Sequence, residues 1–352
     1  MLSCERAVVD LWELGTAAKV QGNEGDPVEV AAPPAHILRI NGSASGSLTA
    51  CTLSPDATSI AISTNAKISL FRVSYANGKA RLAKVKLPSG LPSSARHLAF
   101  SGSGKHLLVC AANGVIQLLD TDGLQVTGTF DQILADSRVA KGASALDAVS
   151  SPVVGLVTDL EGKWGAVVCT RTVHLLALAG ESGPRYHGRV PAPKHISPIS
   201  AAAFTPKGDR MVVATAGNHI AMFQVETCLA MPYWHKEPSN EAECQLEKMP
   251  GSISGLSFHP THQRLIAHTS GAFCLIDFDK PMDDSSDHPK AGARRKRTRE
   301  KPADGSDTRK GDNFRVIHLM EPCLYMGYLS GSDAVLVENP WSEVVKTFPS
   351  PV

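Results

Sequence analysis

"ISAAAFTPKGDRMVVATAGNHIAMFQV", residues 199–225, holds three short apolar stretches separated by two turns. Ile199 to Phe204 runs into Thr-Pro-Lys-Gly-Asp, where Pro presets φ, Gly tolerates positive φ and Asp bonds its own backbone. "MVVATA" follows, then Ala-Gly-Asn-His, then "IAMFQV". Each apolar stretch is too short for a stable helix and rich in residues that fit a pleated sheet, so the segment predicts a three-stranded antiparallel meander.

The same pattern recurs in phase along the chain. "LTACTLSP" from Leu48, "ARHLAFSG" from Ala95, "VVGLVTDL" from Val153 and "ISGLSFHP" from Ile253 align with "ISAAAFTP" without a gap. The fourth and sixth places share one strand face and hold Cys51 and Leu53, Leu98 and Phe100, Leu156 and Thr158, Ala202 and Phe204, Leu256 and Phe258. The fifth place holds Thr52, Ala99, Val157, Ala203 and Ser257, small or β-branched residues suited to a strand packed on both sides. Turns such as "SPDATS", "SGSGKH" and "HPTHQR" follow, and then second and third strands. A further unit is readable in "CLYMGYLSGSDAVLVENPWSEVVKTF", and "AVVDLWEL" near the start looks like the tail of one more. "AHILRI", "ARLAKVKL" and "FRVIHL" can supply fourth strands.

Internal repeats of this kind outrank other signals. Unit starts near 48, 95, 153, 199, 253 and 322, with a blade fragment at 1–14, predict an all-β, WD-repeat-like β-propeller over 1–352. Seven blades are expected, the first incomplete, with radial closure leaving only short sheet edges. A β-sandwich pair explains the recurring phase less well, and a solenoid does not need an outer fourth strand.

Composition fits a soluble globular chain, with 43% hydrophobic and 20% charged residues. No apolar run approaches the roughly 18 residues of a membrane span. Glu5, Arg6 and Asp10 stand where a signal peptide would carry its apolar stretch. The eight cysteines form no CxxC pair and no zinc-finger spacing, which points to reduced, small apolar thiols.

No catalytic constellation emerges. His259, His262 and His268 fall close together in "FHPTHQRLIAH", but His259 occupies the turn place held by Ser54, Ser101, Asp159 and Thr205 elsewhere, and no carboxylate is placed as a third ligand. "SGSGK", Ser101 to Lys105, is a blade turn without Walker spacing, and Asp283 and Asp284 lie in a polar loop. The expectation is a non-enzymatic protein with no cofactor, no metal and no small-molecule substrate.

One segment breaks the repeat. Residues 279–313 have almost no apolar side chains, so they are expected to form a disordered insertion leaving from between the last two blades. Within it Lys290, Arg294, Arg295, Lys296, Arg297, Arg299 and Lys301 place seven cations in twelve residues, opposed by Glu300 alone, in a chain of net charge +1. Such a run serves as a nuclear address or neutralises nucleic-acid phosphates by releasing counterions. No aromatic residue interleaves with it, so backbone contact is expected rather than base stacking.

In order along the chain, "VVDLWELGTAAKVQGNEGD", "CTLSPDATSIAISTNAKISLFRV", "ARHLAFSGSGKHLLVCAANGVIQLLD", "ISGLSFHPTHQRLIAH" with "FCLIDF", and "YMGYLSGSDAVLVENPWSEVVKTFPSPV" resemble the C-terminal half of the cirhin family. That family belongs to the UtpA, transcription-linked group of the small-subunit processome. The resemblance implies a nuclear, nucleolar scaffold that joins other UtpA-type subunits on the leading external spacer of pre-ribosomal RNA, without membrane contact. It implies a part in early pre-ribosomal RNA processing and carries no catalytic residue. Family members place another propeller ahead of this region and a basic tail after it. The contrasting readings are an adaptor such as a ubiquitin-ligase substrate receptor, and a hydrolase with acidic or histidine groups converging in the central channel.

Overall fold

The computed structural model describes residues 1–352 except 6, 18–27, 29, 42–46, 77–78, 132, 134–151, 181–182, 191–196, 232–245, 280–313, 330–332, 343–345 and 347–352. The chain divides into two compact units, Met1–Ala216 with Ile220–Lys236, and Gly217–His219 with Glu237–Val352.

The first unit opens with β1 (Leu2–Glu5) and β2 (Val8–Glu13); a small ribbon of β3 (Thr16–Ala17) and β4 (Val30–Ala32) precedes β5 (Ala35–Asn41), which pairs with β2 to complete the first sheet. The second sheet is β6 (Leu48–Leu53), β7 (Ser59–Thr64), β8 (Ile68–Ala76) and β9 (Lys79–Val85). The third is β10 (Ala95–Phe100), β11 (His106–Ala111), β12 (Ile116–Asp120) and β13 (Gln125–Phe130). The fourth is β14 (Val153–Thr158), β15 (Trp164–Cys169), β16 (Val173–Ala177) and β17 (Arg185–Val190). β18 (Ile199–Phe204), β19 (Arg210–Thr215) and β20 (Ile220–Gln224) form the fifth, where a single bridge, Phe223 to Ala230, stands at the fourth position. In the second unit, β21 (Gly255–Phe258), β22 (Arg264–His268), β23 (Ala272–Asp277) and β24 (Phe314–His318) make the sixth sheet. β25 (Cys323–Tyr328) and β26 (Ala334–Glu338) make the seventh.

Each sheet is built from antiparallel neighbours taken in sequence order, joined mostly by short turns, with longer connections between β2 and β5 and between β23 and β24. The first strands β6, β10, β14 and β18 run side by side within the first unit, as β21 and β25 do in the second. These are WD-repeat-like propeller blades, and the fold class is the one the repeat pattern predicts. "AHILRI", "ARLAKV" and "FRVIH" pair as outer strands of the first, second and sixth sheets.

The apolar side chains explain the stacking. The second strands β11, β15 and β19 are buried on both faces from their second residue onward, so each sheet needs a neighbour on either side. Cores accordingly lie between consecutive sheets: Val9 and Leu11 with Ile60 and Val73; Leu70 with Leu98 and Leu107; Leu108 and Leu118 with Val167 and Leu176; Val168 and Leu175 with Met211 and Phe223; and, in the second unit, Ile266 and Phe273 with Met326. Each fully buried Leu here contributes about 2 kcal/mol of transfer free energy.

Two irregularities recur in phase. The pairing of first with second strand shifts between Leu48 and Ala50, Ala95 and His97, Val153 and Gly155, Ile199 and Ala201, and Cys323 and Tyr325. The pairing of third with fourth strand shifts at Leu118/Leu119 and Leu175/Leu176, and β2 with β5 shifts at Leu11/Trp12. β2 and β5 therefore match third and fourth strands, and β1 with its Leu-Ser-Cys matches the second strand that carries Leu-Val-Cys in β11. The first sheet thus runs from Leu2 to Asn41 and comprises β1, β2 and β5.

Candidate functional site

The seven cations from Lys290 to Lys301 lie outside the described residues, as do Asp283 and Asp284. Their anchorage is described. Ile276 pairs with Phe314, so the segment leaves from the end of β23 and returns at the start of β24. The segment thus interrupts the sixth sheet. This corrects the expected exit between the last two blades, because both flanks hydrogen-bond to each other within a single blade. The exit is braced: Arg264 Nε donates to Asp277 Oδ2 at 3.1 Å, the Asp279 amide donates to Asp277 Oδ1 at 3.1 Å, and the Gln263 amide donates to Asp279 Oδ2 at 3.3 Å. Phe278 packs against Phe258 with ring centroids 6.0 Å apart.

A basic edge missed in the sequence belongs to β9. Arg81 and Lys84 are exposed there, and Lys86 is exposed just beyond it. β9 is the outermost strand of its sheet. Edge lysines discourage pairing with another strand, and they also place cations where an anionic chain can reach them. The alternating cations of "KARLAKVK" were the available signal.

The three histidines do not converge on a metal. His259 is buried, and its Nδ1 accepts the amides of Thr261 and His262, each at 3.1 Å. It organises the turn, as its repeat position predicts. His268 is buried on β22, its Nδ1 3.2 Å from Ser254 Oγ and 3.8 Å from Cys323 Sγ. Burial pushes the imidazole pKa of His268 down and the Cys323 thiol up, so this Cys–His contact favours the neutral pair over a reactive thiolate. Among the described residues no three His, Cys, Asp or Glu side chains are grouped to hold a metal ion.

A Ser–His–Asp set occurs on the first sheet, and its geometry makes it a brace. Asp10 Oδ1 accepts Arg39 Nε at 2.8 Å and lies 2.8 Å from His36 Nε2, while Asp10 Oδ2 accepts Arg39 Nη2 at 3.0 Å. Those bonds, Arg39 first and His36 second, hold the Asp10 carboxyl down to about 2. Ser3 Oγ accepts the Trp12 indole N–H at 3.0 Å, and Trp12 meets the His36 ring edge-on at 4.9 Å. Ser3 is thus bound to the indole while Asp10 is committed to Arg39, which is no arrangement for nucleophile activation.

The "SGSGK" turn acts as a wedge. Ser101 is buried, its Oγ accepting the His106 amide at 3.1 Å, and Gly102 abuts the backbone carbonyls of Asp159 and Leu160 in the next blade. A cleft of about 320 Å³ between the first and second sheets has an apolar lining that includes Val9, Ile62 and Phe71, with Lys67 and Lys84 as its cations and no carboxylate. Such a cleft offers apolar surface for contact, with the two lysines as the charged groups of its lining.

The chain is 24% identical over 354 aligned positions to the U3 small nucleolar RNA-associated protein 4 homolog of Mus musculus, and 23% identical to that of Homo sapiens. Each alignment covers 98% of this chain and 47% of the relative, so the chain spans about half the length of the curated relatives it matches. No family model matches. Among solved structures, Sqt1 from Chaetomium thermophilum aligns with a TM-score of 0.48 at 16% identity, covering 71% of this chain and 60% of that one.

Proposed function

We propose that this chain is a non-enzymatic scaffold of the nucleolar small-subunit processome, acting in early pre-ribosomal RNA processing. The observation that carries the reading is the similarity, over nearly its whole length, to proteins named for their association with U3 small nucleolar RNA. The repeated blades support it, since they expose turns and edges for partners, while among the described residues His259 serves a turn and Asp10 and Asp277 serve braces. On this reading the repeat units form one seven-bladed propeller, and its partners are other UtpA-type subunits. Lys290 to Lys301 contacts the phosphates of the leading external spacer or directs nuclear entry, with the β9 cations as a second basic surface.

Crosslinking of the tagged chain in cells, followed by sequencing of bound RNA and identification of co-purifying proteins, tests this. Enrichment of the leading spacer with processome subunits is expected. Recovery of ubiquitin-ligase subunits without ribosomal RNA overturns it. Deleting Lys290 to Lys301 should lower nucleolar accumulation and leave the thermal midpoint unchanged; an unchanged distribution removes the role assigned to the segment.

A further inference from the structure

Strand register explains the lining of the cleft between the first and second sheets. Ile62 pairs with Ser69 and Phe71 with Lys84, so with the two-residue period of a strand these four residues share one face of the second sheet. Val9 pairs with Ile40 on the first sheet, which packs against that face. The cleft of about 320 Å³ is floored by Val9, Ile40, Leu48, Ile62 and Phe71, and Lys67 reaches it from the turn after β7. Val9 and Ile62 are buried, whereas Ile40, Leu48 and Phe71 are half-buried. Of the cations on β9 and just beyond it, Lys84 lines the cleft while Arg81 and Lys86 do not.

Three polar groups of the lining are without partners among the described residues. Ser69 is only 8% exposed, yet its hydroxyl makes no hydrogen bond with another described residue. A hydroxyl held out of water in this way costs stability until something pairs with it. Thr64, in the same lining, shows the contrast: its Oγ1 lies 3.1 Å from the Lys67 carbonyl and accepts the Lys67 amide at 3.1 Å. The side chains of Lys67 and Lys84 are exposed and form no ion pair with a described residue. An apolar floor is thus joined to one idle hydroxyl and two idle cations, with no carboxylate in the lining.

We propose that this cleft docks a short acidic and apolar peptide segment of a protein partner. One aliphatic or aromatic side chain of the segment enters the floor. Carboxylates beside it pair with Lys67 and Lys84, and a backbone carbonyl of the segment accepts the Ser69 hydroxyl. The volume is near the lower end for ligand pockets, which suits a side-chain anchor. Exposed ion pairs contribute little each, so burial of the anchor supplies most of the affinity and the lysines select the charge of the partner. An RNA strand fits less well, because its phosphates would meet the lysines but leave the aliphatic floor uncovered, and Phe71 is the one aromatic ring in the lining for stacking. The proposal rests on the scaffold reading and adds to it the chemistry of one partner segment.

The experiment presents the purified full 352-residue chain with a phage-displayed library of random peptides. Enriched sequences are expected to combine Leu, Ile or Phe with neighbouring Asp or Glu, and as fluorescein-labelled synthetic peptides to bind more weakly as salt rises. K67E combined with K84E should reduce that affinity at least about tenfold, since attraction becomes repulsion at both lysines. S69A should reduce it about threefold through the lost hydrogen bond. K105E, a reversal at an exposed lysine of the third sheet, should leave it within about twofold, because salt screens a distant charge. Should the double variant melt early, K84E and S69A singly must each still weaken the peptides. Peptides enriched without acidic residues, or peptides whose binding survives K67E with K84E, overturn the proposal. Labelled polyuridylate that binds through Lys67 and Lys84 when no peptide does also overturns it and gives the cleft to nucleic acid. A failed selection beside recovery of processome subunits by the tagged chain in cells removes this site and leaves the scaffold reading standing.

Discussion

Gly102 and Gly104 share one turn and carry different constraints. At Gly102 an added Cβ would run into the carbonyls of Asp159 and Leu160, whereas at Gly104 it would meet nothing within 4 Å, but the backbone holds φ at +72°. G102A is therefore expected to cost about 1–3 kcal/mol through overpacking, and G104A about 1 kcal/mol through left-handed strain. Urea midpoints compared under one set of conditions check the order, and equal losses would show that the neighbouring turn gives way. Asn218 is the counterpart in the second unit. It is buried at a φ of 62°, its amide donating to the carbonyls of Met249 at 3.3 Å and Gly251 at 2.9 Å and its carbonyl accepting the Ile253 amide at 2.8 Å. Asn tolerates that backbone while meeting three backbone groups, of which the Met249 carbonyl and Ile253 amide belong to buried residues. N218A should lose about 2–4 kcal/mol, with N218G intermediate because it keeps the backbone and loses the bonds. A melt in which the two variants coincide would remove the backbone part of the explanation.

Between elements, a polar clamp crosses the seam of the second and third sheets. The Ser63 hydroxyl, fully buried on β7, accepts the Ala95 amide of β10 at 2.8 Å and the Thr49 hydroxyl of β6 at 3.0 Å; Thr49 Oγ1 also lies 2.7 Å from the Ala95 carbonyl. S63A strands that amide in the interior and is expected to cost about 1–3 kcal/mol. T49V leaves the Ser63–Ala95 bond intact and should cost less, so denaturation curves of the two variants distinguish a clamp from mere proximity. What was legible in the sequence lies at this scale. Apolar second strands such as Leu107 to Ala111, bounded by turn residues and repeated in phase, require sheets covered on both faces, and that forces stacked blades. The bulges were not legible, because the shift at Ala95/His97 is a backbone event that no side-chain alternation reports. The composition of Lys290 to Lys301 was plain, yet its exit from the sixth sheet was not: Phe314 to His318 could have paired with either neighbouring blade until its register with β23 was known.

At the scale of the whole molecule, desolvated imidazoles, His268 buried and His97 and His106 half-buried, predict how stability follows pH. His97, His106 and His268 all have their pKa lowered, in each case first by burial. His106 Nδ1 lies out of water with no hydrogen-bond partner, and the His97 ring is 3.1 Å from the Val153 carbonyl on the neighbouring sheet. With folded values below the ordinary imidazole value near 6.5, the unfolded chain takes up these protons first. The stability they represent is therefore complete above about pH 6.5 and drains away as pH falls through the folded values. Asp159 works in the opposite sense. Its Oδ1 accepts the Trp164 amide at 2.8 Å while Oδ2 is buried without a partner, and burial raises the carboxyl above its usual range. The folded chain thus keeps that proton where the unfolded chain has released it, which favours folding at low pH and is lost as pH rises through the folded value. The thermal midpoint should fall between about pH 7 and about pH 5, and H268Q should flatten that slope. D159N keeps the acceptor for Trp164 and removes the buried charge, so it should be more stable than the parent at neutral pH, with the gap narrowing as pH falls. A gap that widens on acidification would mean that Asp159 is held by a cation in the folded chain, and the sign argued from its burial would be reversed.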